Sequence, residues 1–295
     1  MMEMRGVYTA LVTPFTKEGK VDYGKLGELL EIQIAGGVDG VVPVGTTGES
    51  PTLDTEEHMK VIEETVKRAA GRCKVMAGTG ANCAEEAVAL TKHAAEVGAD
   101  CTLQVTPYYN KPTQEGLYRH FSLVADTCKL PVVLYNVPGR TGTAIAAETI
   151  ARLAKNTNVL AVKEAGGSVE RVSEILALCD IAVMCGDDSL TVPMMSVGAK
   201  GVISVASNII PAELKKMTDA CAAGDFASAL TLHRKYFKLF KTLFIESNPI
   251  PVKAAMAILG QIEEVYRLPL CEMAQGNRDK LESVMRECLS ASFKF

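Results

Sequence analysis

Eight short, β-rich apolar runs separated by helical stretches dominate this 295-residue chain. They are Val7–Val12, Gly40–Val44, Lys74–Ala77, Cys101–Thr106, Pro131–Asn136, Val159–Lys163, Ile181–Cys185 and Gly201–Val205, recurring at roughly 20–35 residues, the spacing that a series of βα units needs. Several are apolar throughout rather than alternating, as parallel strands covered on both faces are. Between them, Asp54 with Glu57, ahead of Val61, Ile62 and Val66, reads as a capped amphipathic helix. Asn82 with Glu85, ahead of Val88, Leu90 and Ala94 and closed by Gly98, repeats the pattern. Eight such units fit an α/β fold closed into a (β/α)8 TIM barrel better than an open doubly wound sheet. Closure itself is not written in a sequence, so the open sheet stands as the alternative. Beyond about residue 210 the pattern is helical, with stretches such as Phe226–Ile245, Val252–Leu259 and Arg278–Leu289, and Asn248-Pro-Ile-Pro breaks the chain with a proline at a helix start. The expected organisation is a barrel over residues 1–224 with a C-terminal helical region over residues 225–295.

Hydrophobic residues make up 48% of the chain and charged residues 22%, ordinary globular values that argue against disorder. The net charge of −4 gives no global attraction for nucleic acid or an anionic membrane, so an anionic substrate must be held by local groups. The nine cysteines include no C-x-x-C pair, and the four histidines do not cluster with them, which leaves no zinc or redox motif. Most cysteines sit in apolar stretches and read as reduced core residues of a cytoplasmic protein. The N-terminal MMEMRGVYTALVTPF lacks the pattern of a signal peptide, and no apolar run is long enough to span a bilayer.

In a barrel of this kind the C-terminal ends of the strands build the active site. Those ends carry Thr13, Gly45-Thr46-Thr47-Gly48-Glu49, Gly78-Thr79-Gly80, Pro107-Tyr108-Tyr109-Asn110, Tyr135-Asn136, Lys163-Glu164, Gly186-Asp187-Asp188 and Ser204 to Ser207. Lys163 stands at the inner end of an apolar strand, where an ammonium is costly unless it is paired or gives up its proton. A neutral amine is what imine formation with a ketone requires; the plainer alternative is a strand-end lysine paired with Glu164 or Asp187. The Gly45–Gly48 turn offers two hydroxyls and free backbone N–H groups suited to a small carboxylate, or it is an ordinary βα loop. It is not a P-loop, and Gly78-Thr79-Gly80 does not continue as G-x-G-x-x-G. Tyr135 could relay protons beside an imine-forming lysine, or be a core tyrosine at the rim. Arg140, on the Pro138-Gly-Arg-Thr-Gly turn, suits bidentate carboxylate binding, or is a surface arginine without a task. What weighs against the plain alternatives taken together is that every candidate falls at one end of the proposed barrel.

Gly45-Thr-Thr-Gly-Glu-Ser, Tyr108-Tyr-Asn-Lys-Pro-Thr-Gln-Glu-Gly-Leu-Tyr, Leu134-Tyr-Asn-Val-Pro-Gly-Arg-Thr-Gly and Val162-Lys-Glu-Ala, in this order, resemble the motifs of the dihydrodipicolinate synthase family. Gly186-Asp-Asp, Gly201-Val-Ile-Ser-Val and Asn248-Pro-Ile-Pro-Val-Lys extend the resemblance over essentially the whole chain. It implies a Schiff-base-forming lyase that condenses pyruvate with aspartate semialdehyde, on the route to diaminopimelate and lysine, with Lys163 as the covalent nucleophile. Tyr135, Thr46 and Tyr109 would form the proton relay, the tyrosine matching Tyr109 being given across a tight dimer contact. Thr46 and Thr47 would bind the pyruvate carboxylate, Gly186 and Ile203 would line the site through backbone atoms, and Arg140 would hold the semialdehyde carboxylate. No cofactor is implied, because the lysine is itself the electron sink. The implied assembly is a homotetramer, a dimer of dimers.

The resemblance also implies an inhibitory lysine site at Ser50, Pro51, His58, Asn82, Glu86 and Tyr108. Thr55 and Pro51 depart from the strongly lysine-sensitive members, and His58 could equally be a plain helix-face histidine. Two other functions are carried alongside. One is a related aldolase acting on N-acetylneuraminate or a keto-deoxy sugar acid, against which Arg140 argues. The other is a non-catalytic barrel that binds an amino acid, against which the presence of Lys163, Tyr109, Tyr135 and Thr46 argues.

Overall fold

A computed structural model describes residues 3–289. Eight parallel strands, β1 (Gly6–Ala10), β2 (Gly40–Val42), β3 (Lys74–Gly78), β4 (Cys101–Val105), β5 (Val132–Asn136), β6 (Val159–Glu164), β7 (Ala182–Cys185) and β8 (Gly201–Ser204), pair in chain order. The ring closes where β8 lies against β1, from Gly6 opposite Gly201 to Thr9 opposite Ser204. The barrel is therefore closed, and each strand lies within two residues of the span read from the sequence.

The two-residue strand repeat divides the side chains between two cores. On β5, Val132 and Leu134 face the surrounding helices, while Val133 and Tyr135 face inward. Tyr8, Val42, Met76, Cys101, Leu103, Ala161, Met184 and Ile203 join the inner group, so the barrel is filled rather than hollow. Burial on both faces is why most of these strands read as apolar runs; β4 is the exception, its Thr102 and Gln104 buried in hydrogen bonds with Thr79 and Thr91.

Two helix starts differ from expectation. Asp54 does cap the helix Thr55–Ala69, its carboxylate accepting from the Glu57 N–H at 2.8 Å. The reciprocal half of the box is missing because Glu57 turns its carboxylate to Arg267. The helix Ala84–Glu96 begins after Cys83, without a side-chain cap. Asn82 instead donates to the carbonyl of Tyr108 at 3.2 Å and holds the loop after β4.

The helix Pro211–Ala222 follows β8, and Phe226–Thr242, Ile250–Ile258 and Gln275–Leu289 follow it. Their apolar faces (Tyr236, Leu239, Phe240, Val252, Leu281 and Met285 among them) belong to the same core as the outward-facing strand residues. Residues 1–2 and 290–295 of the expected spans lie outside the described residues. Among the described residues, no helix is long and apolar enough to cross a membrane, and no group of His, Cys, Asp and Glu could hold a metal ion. Six of the nine cysteines are buried, while Cys83 and Cys271 are exposed and Cys179 is half-buried.

Candidate active site

The ladder between β5 and β6 sets Tyr135 directly opposite Lys163. Both occupy inward positions at the C-terminal strand ends, so sheet register alone brings phenol and amine together. The Lys163 side chain is buried, with Nζ lying 4.2 Å from the centre of the Tyr135 ring, where the ring face attracts a cation. It has no ion-pair partner among the described residues. Glu164 points the other way: its carboxylate accepts from Asn136 Nδ2 and from the Gly166 N–H, and Arg171 lies 3.6 Å away. Burial pushes the Glu164 carboxyl above the usual range, opposed by those bonds. Asp187 lines the same cavity as Lys163 without pairing to it. Burial raises its acid too, offset by the charge of Lys163. The plain alternative of a lysine neutralised by Glu164 or Asp187 is not what the fold contains.

The cavity over Lys163 has a volume of about 150 Å³, with Thr46, Thr47, Tyr135, Arg140, Gly186 and Asn248 in its wall. It adjoins a second cavity of about 210 Å³ that shares Thr46, Tyr135 and Arg140 and reaches Ser50, Pro51 and Tyr108. The threonine turn is bracketed by two left-handed residues, Val44 at φ 49° and Glu49 at φ 56°. A β-branched valine there is an outlier that surrounding structure must enforce. Gly186 follows β7 where a Cβ would fall 2.5 Å from that of Ala165, so only glycine fits. Its N–H is committed to the carbonyl of Glu164.

Two expected residues stand apart from the cavity wall in a single chain. The Ile203 side chain is fully buried among the inward-facing residues of the barrel. Tyr109 is 90% exposed, at φ 73°, and borders a surface depression with Lys111 and Arg140. Within one chain it does not meet Lys163. The residues expected for amino-acid binding do converge: Ser50, Pro51, His58, Glu86 and Tyr108, with Thr55, line a third cavity of about 190 Å³. Asn82 stands beside it, tied to Tyr108. His58 Nε2 bonds the Gly78 carbonyl at 2.8 Å, and burial draws its pKa below the usual range. It is thus a packed helix-face histidine and a cavity residue at once.

Asn248 was visible in the sequence only as part of a proline-broken motif, yet it ties the site together. Its Nδ2 donates to Thr47 Oγ1 at 3.0 Å and its carbonyl accepts from Arg140 Nη2 at 3.3 Å. Its own Oδ1 is buried without a protein partner.

The chain matches the model of the "Dihydrodipicolinate synthetase family" over residues 3–288. It is 55% identical over 285 residues to the 4-hydroxy-tetrahydrodipicolinate synthase of Geotalea daltonii, covering 96% of this chain and 98% of that one. The crystal structure of dihydrodipicolinate synthase from Aquifex aeolicus superposes with a TM-score of 0.96 at 51% identity, covering 99% of this chain and 100% of that one. The enzyme from Cyanidioschyzon merolae, crystallised with lysine bound, superposes with a TM-score of 0.94 at 42% identity, covering 96% of this chain and 98% of that one.

Proposed function

Because this chain belongs to the dihydrodipicolinate synthetase family, we propose that it is a 4-hydroxy-tetrahydrodipicolinate synthase, a lyase that condenses pyruvate with L-aspartate 4-semialdehyde through a Schiff base on Lys163. The observation that carries the residue assignment is a buried amine with no carboxylate partner, set against a phenol and opening into a cavity that also holds two threonines and an arginine.

In this reading the Lys163 amine adds to the ketone carbon of pyruvate, and the carbinolamine loses water to give the imine. The imine nitrogen accepts electron density as a methyl proton leaves, which yields an enamine. The enamine carbon attacks the aldehyde of the semialdehyde, and the substrate's amino group then adds to the imine carbon and displaces Lys163 as the ring closes. Tyr135 shuttles protons at the carbinolamine, assisted by Thr46. The Thr46–Thr47 turn holds the pyruvate carboxylate, with Gly186 contributing backbone, and Arg140 takes the second carboxylate. Tyr109 completes the relay in a neighbouring subunit of a homotetramer; its exposure and left-handed backbone fit a side chain offered outward. The cavity at Ser50, His58, Glu86 and Tyr108 takes lysine as an inhibitor, with Glu86 meeting an ammonium.

The test is borohydride reduction in the presence of pyruvate, followed by peptide mass mapping. The expected result is a reduced pyruvyl adduct on the peptide containing Lys163 that disappears in Lys163→Ala. An adduct on any other lysine, or none, overturns the mechanism.

A further inference from the structure

We propose that Lys253 is a positioning residue for the reaction at Lys163, acting through Glu49 to fix the Thr46–Thr47 turn. Lys253 and Glu49 are both essentially inaccessible, and their charged atoms lie 2.5 Å apart. The amine also lies over the Phe15 ring at 4.2 Å and 5.5 Å from that of Tyr266. The second Glu49 oxygen faces Thr52 Oγ1 and the Arg267 N–H, each at 3.4 Å. A buried ion pair is a poor stability device, since a well-packed apolar replacement often does as well. What it does provide is direction, and here the direction bears on the turn.

Glu49 ends a segment whose backbone is left-handed at both ends, a state that persists only when its surroundings over-determine it. The restraints are specific. The Glu49 N–H donates to the Thr46 carbonyl at 3.1 Å, and Thr13 Oγ1 donates to the Gly48 carbonyl at 2.6 Å. Asn248 holds the Thr47 hydroxyl, and Lys253, one helical turn further on in Ile250–Ile258, holds the Glu49 carboxylate. One short piece of the C-terminal region thus grips the turn at two points. Neither Lys253 nor Glu49 lines the cavity over Lys163, so the pair reaches substrate only through the threonines.

The inference rests on the carboxylate-binding assignment of Thr46 and Thr47, and the experiment separates the two. Borohydride trapping with pyruvate is timed for the wild type, for Lys253→Gln, and for the double variant Glu49→Met/Lys253→Leu, with thermal unfolding followed in parallel. In the double variant, where the charges leave together, unfolding should return close to wild type. Imine formation should stay about 10–100-fold slow, the cost of a misplaced binding group, and the KM for pyruvate should rise more than that for the semialdehyde. Lys253→Gln, which keeps a donor to Glu49, should fold and lie between the two. A folded variant of either kind that traps pyruvate at the wild-type rate with an unchanged KM overturns the inference. Failure of the wild type to label Lys163 condemns the functional assignment instead.

Discussion

Lys163 and Lys253 are both buried, and both amines lie 4.2 Å from the centre of an aromatic ring. Only their partners differ. Lys253 meets a carboxylate within a solid core, whereas Lys163 meets a phenol and an opening. Burial therefore does not distinguish a reactive amine from a structural one; a carboxylate within ion-pair distance does. A paired buried lysine stabilises the pair it belongs to, while an unpaired one is a liability to the fold that is accounted for by chemistry.

Replacing each lysine by methionine gives the sharpest contrast. Lys163→Met should abolish condensation and trapping while leaving the unfolding temperature equal or higher, because an unpaired amine is exchanged for an apolar side chain of similar size. Lys253→Met should cost about 3–5 kcal/mol, the penalty for stranding one member of a buried pair. Calorimetry on both proteins reads this directly, and equal destabilisation would erase the distinction. Tyr135→Phe keeps the ring under the Lys163 amine and removes only the hydroxyl. It should lower kcat by about 10²–10⁴-fold with little change in stability; a kcat near wild type would leave the proton relay without its centre. Arg140→Ala should preserve pyruvate trapping and raise the KM for the semialdehyde by about ten- to a hundredfold, as loss of one charged hydrogen-bonding group does. Loss of trapping would mean that Arg140 serves the first substrate.

The smallest effect extends the same reasoning to histidine. Burial draws His58, His120 and His233 below the usual imidazole range. As pH falls through about 6.5 the unfolded chain takes up protons that the folded chain refuses, so stability should decline on the acid side of neutrality. His120, whose Nε2 has no protein partner and whose ring meets Phe121 edge-on, is the clearest contributor. His120→Leu should flatten the slope of unfolding temperature between about pH 7 and pH 5.5, and an unchanged slope would assign it elsewhere.

The barrel strands were legible because burial on both faces removes most polar residues over runs as short as Ala182–Cys185. Closure was not, since it depends on Gly6 meeting Gly201 across about two thirds of the chain. Helix starts misled where a capping residue had another task, as Asn82 does on Tyr108. Lys163, Tyr135 and the threonine turn were legible as strand-end residues, and register did the rest. Asn248 and Lys253 were not, because their partners, Thr47 and Glu49, lie about two hundred residues away. Nothing local marks a lysine on a C-terminal helix as bound to a carboxylate beneath a barrel loop.

Lys163 and Glu164 are successive residues, yet one serves the cavity and the other serves Asn136 and Arg171 behind the sheet. The pleat acts as electrical insulation, keeping base and acid apart by the thickness of the barrel wall although a single peptide bond joins them. On a helix, where neighbours diverge by only about 100°, the same dipeptide would be far harder to segregate. Parity follows: on β5 and β6 the working positions are 135 and 163, and sliding the nucleophile by one place would hand it to the outer helices and put a carboxylate in its stead.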